Sequence, residues 1–172
     1  MSDEQDKKEE IDEPTMVVSS SRFGDLEVPQ SSLIKFPVGL IGFPRAQGFI
    51  MLEHKPPFSW LQSVDDPNLA FVVVDGFEFG ENYNVKPPTG DPVVEFKEDD
   101  EYAILVIVTV RPDPSMTTAN LKAPLFVNLR TRCGLQVIFD DQRFSTRHPL
   151  WGSAEEGQTQ QPEPEKKGEG EE

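Results

Sequence analysis

Short runs of branched and aromatic apolar residues, each bounded by proline, glycine, aspartate or asparagine, constrain the fold of this chain most strongly. β-branched and aromatic residues favour strands, and the bounding residues favour the turns between strands. No stretch of ten or more residues has the apolar spacing of an amphipathic helix. The runs are Met16–Val18, Leu33–Phe36, Phe49–Leu52, Trp60–Val64, Leu69–Val74, Val93–Phe96, Tyr102–Val110, Leu125–Leu129 and Leu135–Phe139.

One of these runs, "LFVNLRT", shows the two-residue alternation of a strand. It predicts Leu125, Val127 and Leu129 on one face, and Phe126, Asn128 and Arg130 on the other. Gly134 follows directly and predicts a tight hairpin around Arg132–Gly134. The segment Asp113–Thr118 is compatible with one short helical turn. With 172 residues, the chain has room for one domain, and we predict an all-β, small antiparallel barrel-like domain with roughly eight to ten strands.

The formal net charge of −15 is concentrated at the two ends of the chain. Residues 1–15 and 153–172 each carry seven acids and two lysines, and they contain almost no branched or aromatic residues. Such segments bury too little apolar surface to offset the entropy of ordering. We expect residues 16–152 to form the folded domain between two disordered acidic tails, which either solvate the ends or serve as interaction tails.

The composition indicates a soluble protein of a reducing compartment. The N-terminus lacks the apolar region of a secretory signal. The longest apolar run, Ala103–Val110, covers about eight residues, whereas a membrane helix needs ~20. The single cysteine, Cys133, excludes an internal disulfide. We therefore expect a cytoplasmic location and no membrane association.

Motifs for catalysis or metal binding are missing from the sequence. Glycine-rich nucleotide loops and the GxSxG motif do not occur. The two histidines, His54 and His148, are far apart in the chain, and Cys133 is favoured as a passive thiol over a nucleophile. We predict no catalytic residue, no metal site and no cofactor.

Asp65 and Asp66 raise the question of paired carboxylates in acid–base catalysis. Such a pair needs environments that separate the two pKa values. The following Pro67 and Asn68 match turn chemistry instead. We interpret this stretch as a turn between strands, and the acidic run "FKEDDEY" (Phe96 to Tyr102) as a solvated loop.

Charge is also divided unevenly within the domain. Residues 16–101 carry 14 acids and six bases, whereas residues 102–152 carry three acids and six bases. Arg130 and Arg132 are two apart on a predicted strand and hence on one face. Because the whole chain would repel phosphates, we expect no direct nucleic-acid binding. A site for an acidic or polar protein segment and cross-strand ion pairing both remain open.

Six segments, taken together and in order, resemble the FliW family of bacterial flagellar assembly factors over about residues 16–151. They are "RFGDLEV" (Arg22–Val28), "FPVGLIGFP" (Phe36–Pro44), "WLQSVDDPNLAF" (Trp60–Phe71), "ILVIVTV" (Ile104–Val110), "TANLKAPLFVN" (Thr118–Asn128) and "RFSTRHPL" (Arg143–Leu150).

The resemblance implies a β-barrel-like protein without known catalytic activity that acts by binding. It implies binding of the translational repressor CsrA, which relieves repression of flagellin messenger RNA, and binding of flagellin, which frees the repressor. Flagellin synthesis would thereby follow secretion, and we expect the chain to be a monomer. Two alternatives are a small-ligand-binding or hydrolytic β-barrel protein using Asp66, Gln62 or Arg130, and a chaperone-only module.

Eight residues are candidates for partner contacts. Most of them also have an ordinary structural explanation, such as a buried ring for the tryptophan or a backbone hydrogen bond for the asparagines. The candidates are Trp60, Gln62, Asp66, Asn120, Asn128, Arg130, Arg132 and His148.

Overall fold

The computed structural model describes residues 13–151, which form an all-β domain. Its eleven strands are β1 (Thr15–Ser20), β2 (Gly24–Pro29), β3 (Ile34–Lys35), β4 (Gly48–Glu53), β5 (Phe58–Ser63), β6 (Ala70–Asp75), β7 (Tyr102–Thr109), β8 (Thr118–Ala119), β9 (Leu125–Asn128), β10 (Cys133–Gln136) and β11 (His148–Pro149). Three short 3-10 helices occupy Gln30–Ser32, Gly76–Phe79 and Pro114–Met116. None of the helices within residues 13–151 is long and apolar enough to cross a membrane.

Seven of the strands close into a barrel, which confirms the predicted fold class. Their order is β7–β6–β5–β4–β3–β10–β9, and β9 pairs again with β7. All of these pairs are antiparallel except β3 with β10. β8 also pairs with β7, and β11 pairs with β8. β1 and β2 form a separate two-stranded hairpin.

Successive hairpins place their turns at alternate ends of the barrel. The β5–β6 turn lies at one end, which we call the upper end. The β4–β5 turn, the connection from β6 to β7 and the β9–β10 turn lie at the other, lower end, because the strands that they join are antiparallel. The β5–β6 and β9–β10 turns therefore belong to opposite ends of the barrel.

Alternation along the strands fills the barrel interior and also builds a second core outside it. On β9, Leu125 and Val127 belong to the inner cluster with Phe36, Phe49 and Leu61. The intervening Phe126 points the other way, into an outer cluster with residues of β7 such as Ile104 and Val106. Both faces of β9 are therefore buried.

Residues 80–101 cover the outer face of β6 and β7 without forming a strand. The predicted strand at Val93–Phe96 is wrong, although Val94 and Phe96 are buried in the outer cluster as its apolar pattern suggests. The Tyr83 hydroxyl donates to the Leu121 carbonyl at 2.7 Å, and burial raises the pKa of Tyr83 well above its usual value.

The prediction that β9 continues through Arg130 and Arg132 is also wrong. The strand ends at Asn128, and residues 129–132 form the turn to β10. The predicted hairpin is confirmed, but it turns just before Cys133 rather than around Arg132–Gly134. β2, β8 and β11 were not predicted, because β2 has only two apolar residues and the other two strands are two residues long.

Most of the two expected acidic tails, residues 1–12 and 152–172, lies outside the described residues. β1 begins at Thr15, the last residue of the expected N-terminal tail. The short helical turn expected near Asp113–Thr118 is present as the 3-10 helix Pro114–Met116.

Candidate functional site

The Asp65–Asn68 segment is the turn between β5 and β6, as predicted. The Asp65 Oδ2 atom accepts hydrogen bonds from the backbone N–H groups of Gln47 and Gly48, each at 3.1 Å. Asp66 Oδ1 accepts from the Asn68 N–H at 2.9 Å. Both carboxylates therefore stabilise backbone conformation, which is the ordinary function of aspartate in turns.

Gln62 lies beneath this turn and is completely buried. Its Nε2 group lies within 3.0–3.5 Å of four backbone carbonyls, and its Oε1 accepts from the Ser20 hydroxyl at 2.8 Å. Gln62 has no exposed surface to offer a partner. It affects the surface through the β5–β6 turn and the β1–β2 hairpin that it holds together.

Trp60 lies on the outer face of β5, half-buried beneath the tip of the β1–β2 hairpin. The Arg22 guanidinium sits 4.6 Å from the centre of the Trp60 ring, a cation–π contact. Phe23 and His54 meet the ring at edge-to-face distances of 5.9 Å. The exposed Arg22 and Phe23 make this cluster part of the surface.

Asn128 organises the lower end of the barrel from a fully buried position. Its Nδ2 donates to the Glu95 carbonyl at 2.9 Å and to Asp100 Oδ2 at 2.8 Å. Its Oδ1 accepts from the N–H groups of Arg130 and Thr131. One side chain thus links the acidic loop 97–101 to the β9–β10 turn.

Arg130 and Asp100 form a two-pronged ion pair across the same junction. Arg130 Nε lies 2.7 Å from Asp100 Oδ1, and Nη2 lies 2.8 Å from Oδ2. The Arg130 hydrogen bonds, followed by that from the Lys97 N–H, hold the pKa of Asp100 well below its usual range. The Asp100 side chain is only 6% exposed, so describing the whole acidic run as solvated is wrong for this residue.

Arg132 forms hydrogen bonds with Ser32, just before β3, and with Lys35 of β3. Its Nη2 donates to the Ser32 carbonyl at 3.1 Å, and its own carbonyl accepts from the Lys35 N–H at 2.9 Å. The prediction that Arg130 and Arg132 share one strand face is therefore wrong, because both lie in a turn.

A shallow concave surface of about 510 Å³ forms where the acidic loop meets this turn. Lys97, Asp99, Asp100, Glu101, Leu129 and Arg130 line it. Asp99, Glu101 and the adjacent Glu98 are exposed, and Leu129 adds an exposed apolar side chain. We call this surface, including Glu98, the acidic end. Its charge suits a basic protein partner.

Asn120 and His148 lie elsewhere. Asn120 Oδ1 accepts from the N–H groups of Lys122 and Ala123, which fixes the turn after β8. His148 lies half-buried in an aromatic groove of about 480 Å³, with its ring 5.8 Å from that of Phe79. Burial lowers the pKa of His148.

The eight candidate residues therefore do not form one site. Asp66 is at the upper end of the barrel, Arg130 is at the lower end, and Gln62 is buried between the strands and the hairpin. A pocket that uses these three residues together is not assembled. Within residues 13–151, no three histidine, cysteine, aspartate or glutamate side chains converge as metal ligands. Their assignments as partner contacts remain predictions.

One surface feature was missed in the sequence. The loop between β3 and β4 exposes Val38, Ile41 and Phe43. Leu40 and Ala46 of the same loop are buried in the inner cluster and close this end of the barrel. Gly39 has a φ of +74° that permits this tight loop. The signal was present in "FPVGLIGFP", whose alternation of glycine with apolar residues matches neither a helix nor a strand.

Residues 17–150 match the family described as FliW protein. The chain belongs to the FliW family. A solved structure described as the flagellar assembly factor FliW has a TM-score of 0.70 and 30% sequence identity, and the match covers 79% of this chain and 97% of that one. The barrel with its outer layer is thus the fold of FliW proteins.

Curated relatives extend the similarity to several bacteria. A flagellar assembly factor FliW from Natranaerobius thermophilus is 37% identical over 79% of this chain and 93% of its own length. The FliW of Geotalea uraniireducens is 34% identical over 84% of this chain and 90% of its own. That of Bdellovibrio bacteriovorus is 33% identical over 86% of each.

Proposed function

We propose that this FliW-family chain is a flagellar assembly factor that binds the translational repressor CsrA and flagellin in turn. Binding of the repressor relieves the repression of flagellin messenger RNA, and binding of flagellin releases the repressor again. The observation that carries this proposal is the family match across residues 17–150, nearly the whole described domain. The chain acts in the cytoplasm as a monomer, without a cofactor or a catalytic step.

The acidic end supports the repressor half of the proposal. A protein that binds RNA presents a basic surface, because it must neutralise phosphates. Glu98, Asp99 and Glu101 stand exposed beside Leu129, so opposite charge and an apolar contact are available together. Once docked, the same carboxylates repel RNA phosphates nearby, which adds to the antagonism.

The exchange of partners follows from mass action. Each ligand shifts the shared factor toward its own complex in proportion to its concentration relative to its dissociation constant. When unexported flagellin accumulates, it occupies the factor and the free repressor concentration rises. Flagellin synthesis then falls until secretion removes the excess.

The hydrolytic or small-ligand alternative lacks such support. Asp66 and Arg130 lie at opposite ends of the barrel, and the Asp66 carboxylate caps the Asn68 N–H. The aromatic groove around His148 has the size of a ligand pocket, but it lies away from all three residues named for that chemistry.

A pull-down from cell extract tests the proposal. The purified full chain is used as bait, with and without added flagellin, and captured proteins are identified by mass spectrometry. We expect the repressor to be recovered without flagellin and to be displaced when flagellin is added. Recovery of neither protein would contradict the proposal, and recovery of flagellin alone would favour the chaperone-only function.

A further inference from the structure

Arg132 occupies a backbone conformation that its side chain disfavours. Its φ is +62°, and no other non-glycine residue among residues 13–151 has a positive φ. Residues 129–132 connect the paired Asn128 and Cys133, so Arg132 is the last residue of a four-residue hairpin turn. Glycine, which has no Cβ atom, or asparagine, whose short side chain bonds locally to the backbone, is the usual residue at a left-handed position of this kind. An arginine at this position needs a reason other than the turn itself.

The guanidinium of Arg132 is also poorly satisfied. Of its five N–H donors, one at Nη2 is bonded, to the Ser32 carbonyl. Its Nε is buried without any hydrogen-bond partner. Within the described part of the chain Arg132 forms no ion pair, and it differs from the other arginines without one, Arg22, Arg45, Arg111 and Arg147, in being half-buried rather than exposed. Among these arginines, the half-buried one with a buried, unbonded Nε gains most from meeting an anion in a complex.

The surroundings of Arg132 define the kind of anion. Lys35 is exposed and adjacent, since its N–H donates to the Arg132 carbonyl. Asp100, on the acidic loop that is bonded to the same turn, is already engaged by Arg130 and Asn128. The exposed Glu98 and Asp99 on the loop bonded to the same turn would repel a run of acids. A single carboxylate on an otherwise basic partner surface could pair with Arg132, while the basic groups around it would be attracted by Glu98 and Asp99.

We propose that Arg132, with Lys35 beside it, binds one isolated carboxylate on the basic protein partner that docks at the acidic end. The inference rests on the proposed function, because that partner is the RNA-binding repressor. A planar guanidinium binds a carboxylate through two parallel hydrogen bonds, and this requirement fixes the orientation of the partner as well as its affinity. The unfavourable φ is retained because it aims the guanidinium at this contact.

Binding of the purified repressor to full-length variants tests the assignment by isothermal titration calorimetry. Arg132→Gln keeps the Cβ atom and removes the cation, and we expect it to weaken binding at least about tenfold. Arg132→Lys keeps the charge without the planar fork and should recover only part of the loss. Arg111→Gln is the matched control, since it removes an exposed arginine from the loop after β7, at the upper end. It should change the dissociation constant less than about twofold.

Thermal unfolding separates a binding residue from a structural one. Arg132→Gly relieves the left-handed strain, so its Tm should equal or exceed that of the wild type while its repressor binding falls as in Arg132→Gln. A marked drop in Tm with unchanged repressor binding would overturn the proposal. So would an Arg132→Gln affinity within twofold of that of the control.

Two further arms distinguish other sources of the anion. In a full-length chain whose seven glutamates in residues 153–172 are changed to glutamine, Arg132→Gln should weaken repressor binding by the same factor. Loss of that effect would assign the carboxylate to the chain's own tail and overturn the proposal. Binding of a short single-stranded RNA that Arg132→Gln abolishes would overturn it in favour of a phosphate.

If the wild type binds neither repressor nor flagellin, the proposed function fails. If it binds the repressor equally well with or without Arg132, only this inference fails.

Discussion

Buried polar side chains, rather than exposed ones, hold the surfaces of this domain in position. Gln62 and Asn128 are both fully buried, and each joins a turn to a neighbouring segment through several hydrogen bonds. Sequence reasoning named both as candidate partner contacts, and it singled out Asn128 as a polar residue within an apolar run. The sequence could not show whether these side chains contact a partner or stabilise the fold, because that depends on which segments pack over them.

Gln62 offers a direct test of this supporting function. Gln62→Ala leaves the Ser20 hydroxyl and several buried carbonyls without a partner, so we expect it to lower the free energy of unfolding by about 2–3 kcal/mol. Urea denaturation followed by tryptophan fluorescence measures the change. Gln47→Ala, at an exposed position, is the control and should cost less than about 0.5 kcal/mol. Equal stabilities for the two variants would contradict the assigned function.

The lowered pKa of Asp100 predicts how the stability of the domain depends on pH. Its pKa is lower in the folded chain than in the unfolded chain, where an aspartate titrates near 3.9. Its contribution is therefore fully present above about pH 5 and is lost as the pH falls below about 4 toward the folded pKa. The stability difference between the wild type and Asp100→Asn, measured by urea titration at several pH values, should shrink across this window. A difference that stays constant from pH 6 to pH 3 would show that the carboxylate charge is not what stabilises the junction.

At the scale of elements, regular strands follow from the sequence and connections do not. β4, β5, β6 and β7 lie where apolar runs were predicted, because each buries side chains on the barrel. Val93–Phe96 is also rich in apolar residues but packs as an irregular segment over the outer core. Burial of alternate apolar residues is common to both cases, and only the partner strand distinguishes them. β9 ended early for a similar reason, since Asn128 turns the chain by bonding to Arg130 and Thr131.

The β3–β4 loop makes a quantitative prediction about two glycines. A Cβ atom at Gly39 would collide with the backbone of Pro44, whereas one at Gly42 would meet no atom within 4 Å. Both residues have positive φ, so both alanine variants bear the conformational cost of about 1 kcal/mol. Gly39→Ala should cost at least about 1 kcal/mol more than Gly42→Ala in chemical denaturation. Equal costs would mean that the loop relaxes freely and does not plug the barrel rigidly.

For the whole molecule, the distribution of charge matters more than its total. The formal net charge of −15 includes acids of the terminal segments as well as those at the acidic end. Sequence reasoning identified an acidic first half of the domain. It could not predict that Asp100 forms an ion pair within the domain while Glu98, Asp99 and Glu101 stay exposed. That difference depends on where Arg130 lies in the fold.

Local and total charge can be separated by two triple variants. Changing Glu98, Asp99 and Glu101 to their amides should weaken repressor binding about tenfold at low salt, with a smaller effect at high salt because the charges are exposed. Changing Glu163, Glu165 and Glu169 to glutamine alters the net charge equally and should have little effect. Calorimetric titrations at two ionic strengths measure both. Equal effects of the two variants would assign the attraction to overall charge and not to the acidic end.

We propose that this chain exchanges between a translational repressor and flagellin. This exchange is tested most directly by fluorescence anisotropy of a labelled flagellin messenger RNA leader bound to purified CsrA. We predict that the chain lowers the anisotropy by removing the repressor from the RNA, and that added flagellin restores it in a dose-dependent way. Anisotropy that stays high when a molar excess of the chain is added would contradict the claim.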